Sequence, residues 1–201
     1  ITQQVCAAPG NYSYIWPIPA NTQLNETVRF RVTDADEPSV NGTTASEHAV
    51  RGSLDLTAPD GGGTPWQVGT SHDIAWTRQG TQMGNVQLRY STDGGQTFSG
   101  VIATVPANNG THPWNVSDIM VGGGDRLYND TRVQVYYDAN TMDNSSANFT
   151  VVPSFTITGP NSGTLKVDDY APITWNHIGT VKKVKLYYIV NAGAPVEIVT
   201  D

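Results

Sequence analysis

The chain repeats itself. The run from Ser53, SLDLTAPDGGGTPWQVGTSHDIAWTRQGTQMGNVQLRYS, returns from Ser154 as SFTITGPNSGTLKVDDYAPITWNHIGTVKKVKLYYI. Leu54, Leu56 and Pro59 match Phe155, Ile157 and Pro160, and Ile74 and Trp76 match Ile173 and Trp175. A second correspondence sets YSYIWPIPANTQLNETVRFRVTDAD beside GTHPWNVSDIMVGGGDRLYNDTRVQVYYDAN, pairing Trp16 with Trp114 and Val28, Phe30 and Val32 with Val133, Val135 and Tyr137. A fixed period of about 100 residues implies one folded unit used again and again.

Cutting at the repeat starts gives three pieces, 1–52, 53–153 and 154–201. Only the middle one is a whole unit; the first is a back half and the last a front half. The expectation is a window on a longer tandem array, in which the front half ending one window is completed by the back half opening the next. Neither half should fold alone, because each leaves an apolar sheet face and its edges uncovered. The sequence opens at Ile1 with neither a Met nor an apolar leader, processed off or outside this piece, so the address must be read from composition.

Composition narrows the class. With 38% hydrophobic and 14% charged residues the chain can bury a core. Glycine (20), Pro (12), 24 Thr and 12 Ser favour short strands and turns, so an all-β fold is expected. A net charge of -7 repels nucleic-acid backbones and anionic lipid, and no stretch reaches the ~18 apolar residues of a membrane span. Nucleic acid and a membrane span are thus not expected. The single cysteine, Cys6, cannot close a disulfide within the chain.

Inside the complete unit, alternating runs are separated by turn clusters. Seven are expected: SLDLTAP, PWQVG, HDIAWT, VQLRYS, GVIATV with the following HPWNV, RVQVYY and ANFTVV. Alternation directs Leu54, Leu56, Ile74, Trp76, Val86 and Leu88 inward, then Tyr90, Ile102, Trp114, Val133, Val135 and Tyr137, and finally Phe149 and Val151. Trp76 and Trp114 are read as core, at roughly 3 to 5 kcal/mol each on truncation. Seven strands in about 100 residues is the size of a two-sheet sandwich.

The succession WQVGTSHDIAWT, GNVQLRYSTDGGQTF, HPWNVSD and ANFTV resembles the immunoglobulin-like, fibronectin type III-like repeats found in tandem in giant extracellular surface proteins of bacteria and archaea. It is also similar to the amino-terminal module of fungal Ser/Thr-rich, GPI-anchored cell-wall proteins. The resemblance implies tandem seven-stranded immunoglobulin-like sandwiches, incomplete at both ends of this chain. It also implies spacer or fibre roles rather than enzymes. From Ser154 onward the chain departs from the pattern, since YYIVNAGAPVEI lacks the STDGGQTF hairpin.

Few residues suggest chemistry. STDGGQTF fits S-x-D-x-G-x-T-aromatic through Ser91, Asp93, Gly95, Thr97 and Phe98, a hairpin also seen in sialidase propellers. One copy per hundred residues is too sparse for propeller blades of ~40 to 50 residues, so a structural turn is expected, with Gly94 and Gly95 at positive φ. The loops DADE (Asp34, Asp36, Glu37) and DANTMD (Asp138, Asn140, Asp143) carry oxygen ligands and are weak calcium candidates without the full EF-type pattern. His48, His72, His112 and His177 show no zinc spacing, and no nucleophile with a matching base is evident. No cofactor is implied.

The sequons say more. Eight N-x-S/T triplets occur, at Asn11, Asn25, Asn41 and Asn109, and at Asn115, Asn129, Asn144 and Asn148. From 15 Asn and 36 Ser plus Thr in 201 positions, chance gives about three. Glycans at strand ends would block further sheet pairing and shield an exposed fibre.

These features favour a non-enzymatic, extracellular structural protein, a stalk, fibre or cell-surface filament whose partners are neighbouring copies of the array and surface glycans. The alternative is a carbohydrate-binding or adhesive module. It needs a flat patch of exposed aromatics, for which Tyr12, Tyr14, Trp66, Tyr136 and Tyr187 are the candidates.

Overall fold

The computed structural model describes residues 8–24, 26–116 and 128–198, with only the backbone of Tyr128. Cys6 and Asn25 lie outside them. The fold is all-β: among the described residues the regular elements are seventeen strands and one 3-10 turn, and no helix is long and apolar enough to cross a membrane.

The first four strands, β1 (Thr27–Val28), β2 (Arg31–Thr33), β3 (Asn41–Thr43) and β4 (His48–Ala49), form two ribbons, β1 with β4 and β2 with β3. The middle unit has nine: β5 (Ser53–Ala58), β6 (Trp66–Gln67), β7 (Ser71–Gln79), β8 (Asn85–Ser91), β9 (Gly100–Pro106), β10 (Thr111–Asn115), β11 (Tyr128–Asp138), β12 (Thr141–Asn144) and β13 (Phe149–Val152). They make a three-stranded sheet, ordered β10-β7-β5, and a six-stranded one, ordered β6-β13-β11-β8-β9 with β12 on β11. The last four, β14 (Ser154–Gly159), β15 (Thr174–Ile178), β16 (Tyr187–Tyr188) and β17 (Val196–Glu197), pair as β14 with β15 and β16 with β17.

Nine strands therefore stand where seven runs were expected. GVIATV and HPWNV are two strands in different sheets, because the 3-10 turn Ala107–Asn109 and Gly110, at φ +70°, carry the chain across between them. The residues TMDN form β12, a strand where the sequence predicts an acidic loop.

The inward positions follow the alternation. Leu54, Leu56, Ile74, Trp76, Val86 and Leu88 are buried in one cluster with Trp114, Val133, Val135, Phe149 and Val151, while Tyr90, Ile102 and Tyr137 pack against it half-buried. Both sheets contribute, so their apolar faces share one core. The Trp76 indole N–H donates to the Ala107 carbonyl at 2.9 Å, which satisfies its polar atom inside that core.

The repeat is visible in the hydrogen-bond register. Leu54 faces Arg78 and Leu56 faces Trp76, with a bulge before Ala58; Phe155 faces His177 and Ile157 faces Trp175, with a bulge before Gly159. The back halves also correspond, two residues away from the pairing read off the sequence. Val28 faces His48 as Thr131 faces Phe149, and Arg31 faces Thr43 as Gln134 faces Asn144. Phe30 and Thr44 exchange hydrogen bonds as Val133 and Ser145 do. The counterparts of Val28, Phe30 and Val32 are thus Thr131, Val133 and Val135. A shift of two keeps every side chain on its own face, which is why apolar matching alone did not detect it.

The junctions repeat too. Gly80, at φ +97°, lies against Gly52, and its counterpart Gly179, at φ +90°, lies against Pro153; a Cβ on either would meet those Cα atoms at 3.6 and 3.2 Å. The first half meets the middle unit just past the end of β7, where the Thr81 N–H donates to the Ala20 carbonyl at 2.8 Å and Leu24 covers Gly80. The last half meets it just before β7 begins, where Ser154 Oγ donates to the Val68 carbonyl at 3.2 Å and Ile178 rests on Gly69. A nine-residue strand separates the two contacts, about 30 Å at the usual rise.

Candidate assembly interface

The two end halves expose what the middle unit buries. Val86 and Leu88 are fully buried, yet their counterparts differ: Val184 is 42% exposed and Leu186 only half-buried. Val133 and Val135 are also fully buried, but Phe30 is 43% and Val32 79% exposed. In the last half the strands β14 and β15 and the segment 180–187 enclose an open apolar groove of about 690 Å³, floored by Phe155, Ile157, Ile173 and Trp175. Lys182, Lys183 and Lys185 line it as well. In the first half Phe30 lies edge-on to Trp16, centroids 5.6 Å apart, and tilted to His48 at 5.5 Å. Exposed apolar side chains grouped in this way make these faces candidate contact surfaces.

The middle unit shows how such faces are closed. Trp66 packs against Trp114 and Phe149, at 6.0 and 4.7 Å between centroids, and stacks on His72 at 4.0 Å. Burial there holds the His72 imidazole below its ordinary pKa. Tyr90 stacks on Trp114 at 5.9 Å, its ring lying over Gly100. Trp16, His48 and Tyr188 occupy the places matching Trp114, Phe149 and Tyr90, and Leu165, at the offset that matches Ile74 with Ile173, the place of Trp66; two lie in the first half and two in the last.

The STDGGQTF hairpin is internally tied. Ser91 Oγ donates to Asp93 Oδ1 at 2.6 Å and accepts the Gly95 N–H at 2.9 Å. The Thr97 N–H and hydroxyl donate to the two Asp93 oxygens at 2.9 and 2.6 Å. These donors, Ser91 first, pull the Asp93 carboxyl from 3.8 to about 2. Gly94 and Gly95 have φ of +74° and +88°, and Gly94 N–H docks the turn on the Asp130 carbonyl at 2.8 Å. Phe98 is half-buried beside it.

The acidic residues serve the backbone. Asp34 Oδ1 accepts the Asp36 and Glu37 N–H groups at 2.9 and 3.1 Å, which lowers its pKa, and Asp138 Oδ1 accepts the Asn140 N–H at 2.8 Å. Asp143 Oδ2 accepts the Leu56 N–H at 2.7 Å, tying β12 in one sheet to β5 in the other. No group of three or more His, Cys, Asp or Glu side chains that could hold a metal occurs among the described residues.

Asn11, Asn41, Asn109, Asn115 and Asn129 are exposed. Asn144 and Asn148 are half-buried. The Asn148 amide donates to Asp130 at 3.0 Å while its oxygen accepts from Arg132 at 2.6 Å, so both ends are occupied. The five candidate aromatics do not form one patch. Tyr12 and Tyr14 lie in the first half and Tyr187 in the last, Trp66 packs on the core, and Tyr136 carries the Arg89 guanidinium 3.6 Å above its ring.

No family model, curated protein or solved structure matches the chain.

Proposed function

We propose that this chain is a segment of a non-enzymatic extracellular structural protein, a tandem array of immunoglobulin-like sandwiches forming a cell-surface fibre, stalk or filament. The observation that carries the reading is the pair of exposed apolar faces in the end halves, whose counterparts close the core of the middle unit. The recurring glycine junction supports it, because one geometry repeated at both seams propagates into a regular array. The scattered aromatics favour a scaffold over a sugar-stacking platform.

Sedimentation and negative-stain microscopy of the 201-residue chain test this reading. Concentration-dependent oligomers that lengthen into threads are expected; a compact monomer at every concentration overturns it. In a glycosylating host, glycan mapping should find sugar on the exposed Asn11 and Asn109 and leave Asn148 bare.

A further inference from the structure

We propose that the groove of the last half is filled by the first half of a second copy of this chain, head to tail, in the register that the middle unit uses within itself. The inference rests on the fibre reading and specifies its contact.

In the middle unit β8 runs antiparallel to β11, with Tyr90 opposite Val133, Leu88 opposite Val135 and Gln87 opposite Tyr136. The counterparts on the front side are Tyr188, Leu186 and Lys185, since Val184-Lys185-Leu186-Tyr187-Tyr188 repeats Val86-Gln87-Leu88-Arg89-Tyr90. On the back side they are Phe30, Val32 and Thr33, fixed by the shared pairings described above. Between copies, Tyr188 then lies opposite Phe30, Leu186 opposite Val32 and Lys185 opposite Thr33. Leu165, 68% exposed and set at Trp66 by the offset that matches Ile74 with Ile173, takes the place of Trp66 beside Trp16 and His48 of the second copy.

Charge agrees independently with this register. All four lysines of the chain lie beyond residue 154. Continuing the antiparallel pairing past Lys185 and Thr33 brings the exposed Asp34, Asp36 and Glu37 of one copy alongside Lys182 and Lys183 of the other. Slipped by four residues toward Arg29, the register instead sets Lys183 opposite Arg31.

The test mixes single-cysteine variants made on a Cys6→Ser background. Lys185→Cys mixed with Thr33→Cys places the two thiols directly opposite; Lys185→Cys mixed with Arg29→Cys sets them four residues out of register, about 13 Å apart. Mild oxidation should give covalent dimers at least about tenfold more abundant in the first mixture than in the second, and none from any variant alone. Equal cross-linking in the two mixtures, or none in either while sedimentation still shows assembly, overturns the register and leaves the fibre standing. Absence of assembly in the parent chain overturns both.

Discussion

Asp93 shows how much one carboxylate can organise. Its two oxygens take three donors from Ser91 and Thr97, and those bonds reach full strength only while it is ionised. Its folded pKa lies below the unfolded value, so the stability it contributes is present above about pH 4 and lost as pH falls through about 2. Amide-exchange protection at Thr97 should stay flat from neutral pH to about 4 and collapse near 2, and Asp93→Asn should abolish the pH dependence. Protection that persists at pH 1.5 to the same degree would count against the carboxylate as organiser. The hairpin was legible at this scale because its residue types have few other uses in so short a span. Asp143 was not: its partner, the Leu56 N–H, lies 87 positions away, and nothing local distinguishes a strand-bridging carboxylate from a loop ligand.

At the scale of elements, alternation identified the inward residues well, because a strand with one buried face has no other pattern open to it. Register was harder to read. Period-two patterning fixes the face but not the position along it, so Phe30 was matched two residues from its counterpart Val133. The break between β9 and β10 was hidden for a different reason: a three-residue 3-10 turn leaves too little periodic signal. Gly100 gives an element-level prediction. The Tyr90 ring covers it on the neighbouring strand, and a methyl group there would overlap the ring and push it off Trp114. Gly100→Ala should cost about 1 to 3 kcal/mol in urea unfolding. A cost below about 0.5 kcal/mol would mean that the ring is not held in place. In the last half the same pairing sets Tyr188 opposite Val196, and there the tyrosine is half exposed.

For the whole molecule, the question is what covers the end faces. Apolar area supplies attraction without direction, whereas the proposed contact between Lys182, Lys183 and the Asp34–Glu37 loop supplies register. Raising NaCl from about 0.05 to 0.5 M should therefore weaken self-association about three- to tenfold without abolishing it, as exposed charges are screened. Lys182→Glu should weaken it similarly, and mixing with Asp36→Lys should restore it, since the proposed register sets these two positions opposite. Association that tightens steadily with salt in the parent chain would leave the apolar faces as the sole determinant.

The unlikeness of the two end faces has a geometric result. A contact joining a lysine-lined trough to an acid-tipped ridge is heterologous, so it does not close on itself as a two-fold pair would. An open assembly built on it has polarity: one extremity presents the trough, the other the ridge. Such a thread can be tethered by one end and lengthened at the other, and a fragment bearing only one face would act as a terminator.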